Sequence, residues 1–373
     1  MREQELIYAL ALQHIPKIGP TIAKKLINHC GSAEAVLKEK KTNLLKIDGI
    51  GTITIDSLSD STHIEEAENE LKFIKSNNIK VHYFSEDTYP ERLKHCVDGP
   101  IIIFQSGNIN INQQPIISIV GTRKITTNGV VFCEKLVETL SPYNPIIVSG
   151  FAYGTDITAQ KTAIRQNLQT IGCLAHGLNQ IYPKVHKKYV ADVERHGGFY
   201  TDFWSTDVFD RNNFLKRNRI IAGLSEATIV IESAEKGGSL VTADIANSYN
   251  REVFAVPGRI TDSQSIGCNN LIKFQKAHLL SDPLDIPYLL NWQLKNDTTY
   301  GEEAKSVVQK QLFVELEPDE KIIYNYLKDN NKQLLDIIAL DCNIPTYTLA
   351  GILLNMELKG LIRPLPGKLF ELI

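Results

Sequence analysis

The sequence predicts an α/β protein built on a parallel sheet, with a helical region before it and a small unit of helices and a hairpin after it. Three observations predict this. Short apolar runs rich in β-branched residues recur between residues 111 and 290, at Ile116–Val120, Ile146–Val148, Thr170–Leu174, Thr228–Ile231 and Val253–Val256. Most are separated by stretches long enough for the crossover helix that parallel strands require. Nearly every run ends in a glycine-bearing loop, at Gly121, Gly150, Gly177, Gly237-Gly238 and Gly258. In an open α/β sheet such loops share the carboxyl edge, where ligands bind.

Composition sets the class. The chain has 373 residues, 43% hydrophobic and 22% charged, ordinary for a soluble globular protein of roughly two to four domains. Its net charge of -3 argues against coating nucleic acid by bulk charge, so any such contact must rest on placed cations. The six cysteines, Cys30, Cys96, Cys133, Cys173, Cys268 and Cys342, form no CxxC pair. That spacing predicts neither a disulfide framework nor a zinc site and fits a reducing cytoplasm. The first residues carry Glu3 and Glu5 and are interrupted by Pro16, unlike a signal peptide. No apolar run of ~18 residues predicts a membrane span. The expectation is a cytoplasmic protein with no cofactor, no metal and no membrane partner.

In chain order, residues 1–70 read as helical. Ile15-Pro16-Lys17-Ile18-Gly19-Pro20 and Ile47-Asp48-Gly49-Ile50-Gly51 are similar turns, each placing glycine between two helices. They resemble a pair of helix-hairpin-helix units of the SAM-like kind, which dock helix N-termini on phosphate. Pro20 and Thr52 stand where basic residues would help, so a small helical bundle without a ligand is an equal reading. Residues 71–110 read as a connector with a strand pair, Ile79–Phe84 and Ile101–Phe104, and residues 111–290 as the sheet domain. Residues 291–317 are polar and poorly patterned, as a linker would be. In residues 318–373, Pro318-Asp319-Glu320 opens one helix, Lys332–Asp341 makes a second and Pro345 opens a third that Gly360 stops. Leu361–Ile373 then turns at Pro366-Gly367. Three helices and a hairpin make a winged helix. Its third helix carries Thr346, Tyr347, Thr348, Asn355 and Glu357 and almost no positive charge, which favours a protein-binding or regulatory role over DNA reading.

The loops after the core runs carry the candidate chemistry. In Gly121-Thr122-Arg123, glycine permits close backbone approach and Arg123 can fork onto phosphate oxygens. Thr126 and Thr127 add hydroxyls at the next helix start. In the loop 149–156, Asp156 sits where a helix cap belongs, and Phe151 and Tyr153 can stack on bases. Packing of Phe151 beneath the loop is the competing reading. After Tyr182-Pro183 come Lys184, His186, Lys187 and Lys188. The densest signal is Lys216-Arg217-Asn218-Arg219, followed by Gly237-Gly238-Ser239 and Thr242. Glycines with hydroxyls at a helix start form an anion nest. The last loop, Pro257-Gly258-Arg259, precedes the segment Ser265–Ile272, which carries Asn269.

GTR, SGxAxGxD, YPK, RNRIIAGLS, GSLVTA, REVFAVPG and GCNNLI occur here in one order and spacing. This set resembles the DNA-processing protein A (DprA/Smf) family, strongly over residues 115–285 and in arrangement only at the flanks. The resemblance implies an extended Rossmann-like fold, a homodimer, binding of single-stranded DNA, and loading of the RecA recombinase during transformation. It implies phosphate contacts from Arg123 and Lys184. Arg217, Arg219, Gly238 and Ser239 are implied to line the same pocket. Gly121, Gly150, Asn218, Thr242 and Asn269 complete the expected site. The chain departs from the family's usual residues at Thr155, His186, Leu215 and Gly237. The apolar-polar mix of Ile260, Ile266, Leu271 and Ile272 is the candidate dimer surface.

A sheet of this kind also invites an enzyme reading. No GxGxxG follows any core run, the Gly367-Lys368 pair is followed by Leu369 rather than Ser or Thr, and neither GxSxG nor HExxH occurs. His176 reads as a satisfied buried histidine rather than a base. The nearest enzyme rivals, the lysine-decarboxylase-like nucleotide phosphoribohydrolases, need a PGGxGTxxE loop. Lys236–Asp244 supplies no such glutamate. A non-enzymatic DNA-binding protein is therefore expected. A scaffold that binds partners through its winged helix is a third class.

Overall fold

Helices come first, for local reasons. α1 (Glu3–His14), α2 (Pro20–Cys30), α3 (Ala33–Lys38), α4 (Lys41–Leu44), α5 (Thr52–Ser57) and α6 (Thr62–Ser76) precede any strand in this computed structural model. It describes residues 2–58, 60, 62–111, 114–294, 316–359, 361–365 and 369–372. Pro20 opens α2, where its missing N–H is no loss, and Gly31 ends it in the left-handed region at φ 93°. Ser32 caps α3 by accepting the Ala35 N–H at 3.0 Å, and the Glu5 carboxylate accepts from Ala33 and Glu34 at the same helix start. The two glycine turns lie where the sequence places them. Gly19 and Gly51 precede α2 and α5 with no side-chain cap.

This helical region shares its core with the sheet. Leu10, Leu12, Leu26, Ile55 and Leu71 are buried in one cluster with Tyr83, Ile102, Phe104 and Trp204. The segment expected as a connector is thus structural. It supplies β1 (Lys80–Tyr83), the short α7 (Glu91–Lys94) and β2 (Ile102–Gly107).

The core runs follow as β3 (Ile116–Val120), α8 (Thr127–Leu140), β4 (Ile146–Ser149), α9 (Thr155–Arg165), β5 (Thr170–Cys173), α10 (Val190–Arg195), β6 (Gly197–Thr201), α11 (Asn212–Leu224) and β7 (Ala227–Val230). Then come α12 (Gly238–Ser248), β8 (Glu252–Ala255), α13 (Ile266–Lys273), β9 (His278–Leu279) and α14 (Asp285–Leu289). The nine-stranded sheet has the order β1-β2-β6-β5-β4-β3-β7-β8-β9. From β6 to β9 every pairing is parallel, while β2 joins β6 and β1 joins β2 antiparallel. Side chains alternate between two cores. Ile117 and Ile119 pack with α8 and α9, whereas Ile116 and Val120 pack with α11, α12 and α13. Burial on both faces explains why these strands read as continuous apolar runs. β3 lies between β4 and β7, so the chain winds outward from it in both directions.

The second unit is compact in its own right. Helices Pro318–Asn330, Leu335–Asp341 and Thr346–Leu358 accompany strands Gln333–Leu334, Ile362–Leu365 and Leu369–Leu372, the last pairing with both others. Glu317 and Glu320 form a reciprocal cap on the first helix, and Ile323, Leu327, Ile338, Leu353 and Ile362 fill the core. The expected second helix starts later than Lys332, because Gln333 and Leu334 pair as a strand. The expected Gly360 stop, the Pro366-Gly367 turn and most of the linker lie outside the described residues. No single helix among the described residues is long and apolar enough to cross a membrane.

Candidate functional site

β3 and β7 are adjacent in the sheet, but their following helices leave on opposite sides. Such a fork opens a crevice at the carboxyl edge. Here it holds a cavity of about 310 Å³ bordered by the loops after β3, β4 and β7 and by α11.

The loop after β3 is locked from below. Thr122 donates its N–H to the Glu232 carbonyl at 2.8 Å, and its own carbonyl accepts the Thr155 N–H and hydroxyl, each at 3.2 Å. A Cβ on Gly121 would lie 2.4 Å from the Thr155 hydroxyl. Glycine at 121 is therefore needed for packing against α9, and the residue also borders the cavity. Thr126 is also committed. Its hydroxyl caps α8 through the Gly129 N–H at 3.1 Å and donates to Glu232 at 2.5 Å. Arg123 has no ion pair among the described residues. It is exposed, borders the cavity, and sits over the Phe214 ring at 5.0 Å.

Beneath it lies a buried charge arrangement. Asp156 does not cap α9, since Gly154 holds that position. Instead its carboxylate accepts the Gly150 and Ala152 N–H groups at 3.1 and 3.3 Å and clamps its own loop. Arg217, only 4% exposed, faces it and donates to the Cys173 carbonyl at 2.7 Å. A Cβ on Gly150 would come 2.0 Å from the Arg217 guanidinium, so glycine there is what admits the arginine. Burial pushes the Asp156 carboxyl up and the Arg217 guanidinium down, and each charge opposes the other's shift. The Arg217 Nε has no partner among the described residues. A buried guanidinium so sparsely bonded at a cavity is suited to an anion.

Helical geometry separates the arginines that the sequence groups together. Two residues along a helix turn a side chain by about 200°. Arg217 enters the cavity, whereas Arg219 pairs with the Asp202 carboxylate and the Asp98 carbonyl on another face. The expected role of Arg219 in the same pocket is therefore corrected. Asn218 does border the cavity and reaches the Gly238 carbonyl at 3.5 Å. α12 starts at Gly238 with no side-chain cap, and Ser239 and Thr242 are buried at the cavity wall, Ser239 bonded to Ser233 at 2.9 Å. Asn269 lies elsewhere. It holds both backbone groups of Gly258, at 3.1 and 3.0 Å, and does not border the cavity.

Lys184 is exposed at the start of a short 3-10 turn, Lys184–Tyr189, and is not part of the cavity wall. Its loop nevertheless meets the Arg123 side, because Tyr182 lies 5.7 Å from Phe214, ring to ring. His186 joins the loop to the one after β4 through the Phe151 carbonyl at 2.9 Å and the Tyr153 ring at 5.1 Å. Phe151 is buried, so of the two aromatics expected to stack only Tyr153 is exposed. His176 is a buried strut. Its Nε2 accepts the Tyr182 N–H at 3.2 Å, so Nδ1 carries the proton and donates to the Gly177 carbonyl at 2.9 Å. Burial lowers its pKa. Sequence reasoning missed Arg211 and Phe209, which stand in the polar stretch before α11. Arg211 is exposed at the cavity rim. No periodic signal marks that stretch.

Comparison with known proteins gives three family matches. The DNA recombination-mediator protein A family matches residues 80–291, the DprA winged helix domain 311–368, and the SAM-like helix-hairpin-helix tandem 9–61. Protein Smf of Synechocystis sp. is 29% identical over the full length of both chains. Protein Smf of Escherichia coli is 31% identical over 80% of this chain and 79% of that protein. The X-ray structure of DNA processing protein A from Streptococcus pneumoniae superposes with a TM-score of 0.64 at 27% identity, covering 78% of this chain and 99% of that one. The Helicobacter pylori DNA processing protein A, whose structure addresses its single-stranded DNA binding mode, gives 0.52 at 25% identity over 58% and 97%.

Proposed function

Because the chain belongs to the DNA recombination-mediator protein A (DprA/Smf) family, we propose that it binds single-stranded DNA along the Arg123–Lys184 surface and delivers it to the RecA recombinase during transformation. One observation carries the reading: Arg123 projects, without a carboxylate partner among the described residues, from the rim of a cavity whose wall holds the sparsely bonded Arg217. Arg123 offers a two-pronged phosphate contact, Lys184 a point charge, and the α12 start a set of backbone donors. Gly238, Ser239, Thr242 and Asn218 shape the wall, while Gly121 and Gly150 hold the loops in place. Lys184 extends the track beyond the cavity.

The protein acts by binding, in the cytoplasm and as a homodimer, without turnover. Among the described residues bordering the cavity, Asp156 is the one carboxylate, and it is engaged by two amides and faced by Arg217. Asp244, the acid nearest the position a phosphoribohydrolase would need, pairs with Lys276 at 2.9 Å.

A titration with labelled oligo-dT beside a nucleotide-hydrolysis assay tests the reading. Replacing Arg123 and Lys184 by alanine should weaken binding and flatten the slope of log affinity against log salt by roughly 1.4 units, about 0.7 per phosphate contact. Binding as tight as wild type with an unaltered slope, or protein-dependent hydrolysis of nucleotides, overturns it.

A further inference from the structure

Three aromatic rings gather beside the Arg123 rim, from three separate segments. Tyr182 comes from the loop after β5, Phe209 from the loop after β6, and Phe214 from the first turn of α11. Their ring centroids lie 4.7 Å (Tyr182–Phe209), 5.6 Å (Phe209–Phe214) and 5.7 Å (Tyr182–Phe214) apart. None belongs to a hydrophobic core cluster. Tyr182 is 37% and Phe209 40% exposed, and the neighbouring Val208 is 83% exposed. Leaving rings in water forgoes the stabilisation that burial brings, so the cluster calls for an occupant.

Charge and placement select that occupant. Arg123 and Arg217 lie over the Phe214 ring at 5.0 and 5.8 Å, so the cluster is joined to the cations of the cavity. Tyr182 stands two residues before Lys184. A polyanion whose phosphates sit on Arg123 and Lys184 must carry its remaining groups past these rings. In a single strand those groups are bases with open π-faces, and stacking on aromatic side chains is tolerant of sequence. In a duplex the faces are already covered by neighbouring bases.

We infer that Tyr182 and Phe209, backed by Phe214, form a stacking platform for unpaired bases. The inference rests on the single-stranded DNA reading above and adds to it what distinguishes a single strand from a generic polyanion. Phosphates alone do not make that distinction.

The test uses the full chain and three labelled ligands of equal length: oligo-dT, an abasic strand with the same phosphates, and a duplex. Wild type should bind oligo-dT at least about tenfold more tightly than the abasic strand. Tyr182→Leu with Phe209→Leu keeps apolar bulk and should bring that ratio to about one with the salt slope unchanged. Tyr182→Phe with Phe209→Trp should restore the ratio. Alanines at Arg123 and Lys184 should weaken binding of both strands alike and leave the ratio standing. Equal wild-type affinity for the two strands, or a leucine double variant that keeps the ratio, overturns the platform and leaves the binding reading intact. Wild type that binds none of the three ligands overturns both.

Discussion

Asp156 and Arg217 show how one residue's position sets another's use. Arg217 is buried and, among the described residues, bonded to the Cys173 carbonyl, and Asp156 is the negative charge that faces it. Removing one partner of a buried charge arrangement leaves the other uncompensated, at a cost of about 3 kcal/mol. Asp156→Asn should therefore lower stability by about that amount in urea unfolding. Adding Arg217→Met should recover much of it, since no buried charge remains, while DNA affinity stays reduced. A double variant less stable than Asp156→Asn would show that the two residues are not coupled. The roles of these residues were only partly legible in the sequence. The motif order marks both Asp156 and Arg217, but a cap and a loop clamp have the same local spelling. Only the packing of α11 against β5, with Arg217 bonded to the Cys173 carbonyl, separates the two roles.

At the scale of elements, legibility follows where each signal resides. The β-branched strands β3, β4, β5, β7 and β8 were readable because burial on both faces leaves an apolar run in the sequence. β6 was not, because Gly197-Gly198-Phe199-Tyr200 lacks that signature and pairs through neighbours distant in sequence. The docking of α1 on the sheet was equally hidden, and it is made through a titratable histidine. His14 stacks on Trp204 at 4.1 Å and pairs with Asp207 at 3.1 Å. The Asp207 bond is the main cause of its raised pKa, burial opposes it, and the charges of Asp207, Glu66 and Glu70 add to the rise. Burial likewise raises Glu70, against its bonds to Ser205. Both groups hold a proton more tightly folded than unfolded, so stability must fall as pH rises through their folded pKa values. For His14 that window runs upward from the ordinary 6.5. The urea midpoint should thus drop as pH rises above the ordinary histidine value of 6.5, and His14→Gln should flatten that drop. An equal drop in the variant assigns it to other groups. The winged helix makes a different prediction. Its third helix, Thr346–Leu358, exposes Tyr347 and Leu354 and contains no lysine or arginine. Phosphate contact needs cations, so removing residues 318–373 should leave oligo-dT affinity largely intact. Loss of most of the affinity would make that unit a DNA module.

The whole molecule raises the question of self-association. The sheet ends at β9, only two residues long, with no further strand beside it among the described residues. Segments near that end expose Ile260 (89%), Phe274, Leu279 and Tyr288. Of the residues named from the sequence for this surface, Ile260 is open, whereas Leu271 is a core residue packed with Cys268 and Val253. Periodicity alone cannot separate a core-facing leucine from an interface one, because both lie on apolar stretches. Exposed apolar side chains next to a sheet end are the features a second copy can cover. The full chain should therefore sediment as a concentration-dependent dimer at about 10–50 µM, a range that reveals micromolar interfaces. Ile260→Asp with Phe274→Asp puts a charge at each of two exposed apolar positions that such an interface would have to desolvate, so this variant should sediment as a monomer with its circular dichroism unchanged. Both side chains are on the surface, so the fold should tolerate the change. The variant should still bind a short oligo-dT, since neither residue borders the Arg123 cavity. On a long strand its affinity should fall, because two linked sites on one dimer raise each other's effective concentration. A wild type that stays monomeric throughout this range removes the proposed assembly. A variant that stays dimeric moves the interface away from the β9 end of the sheet.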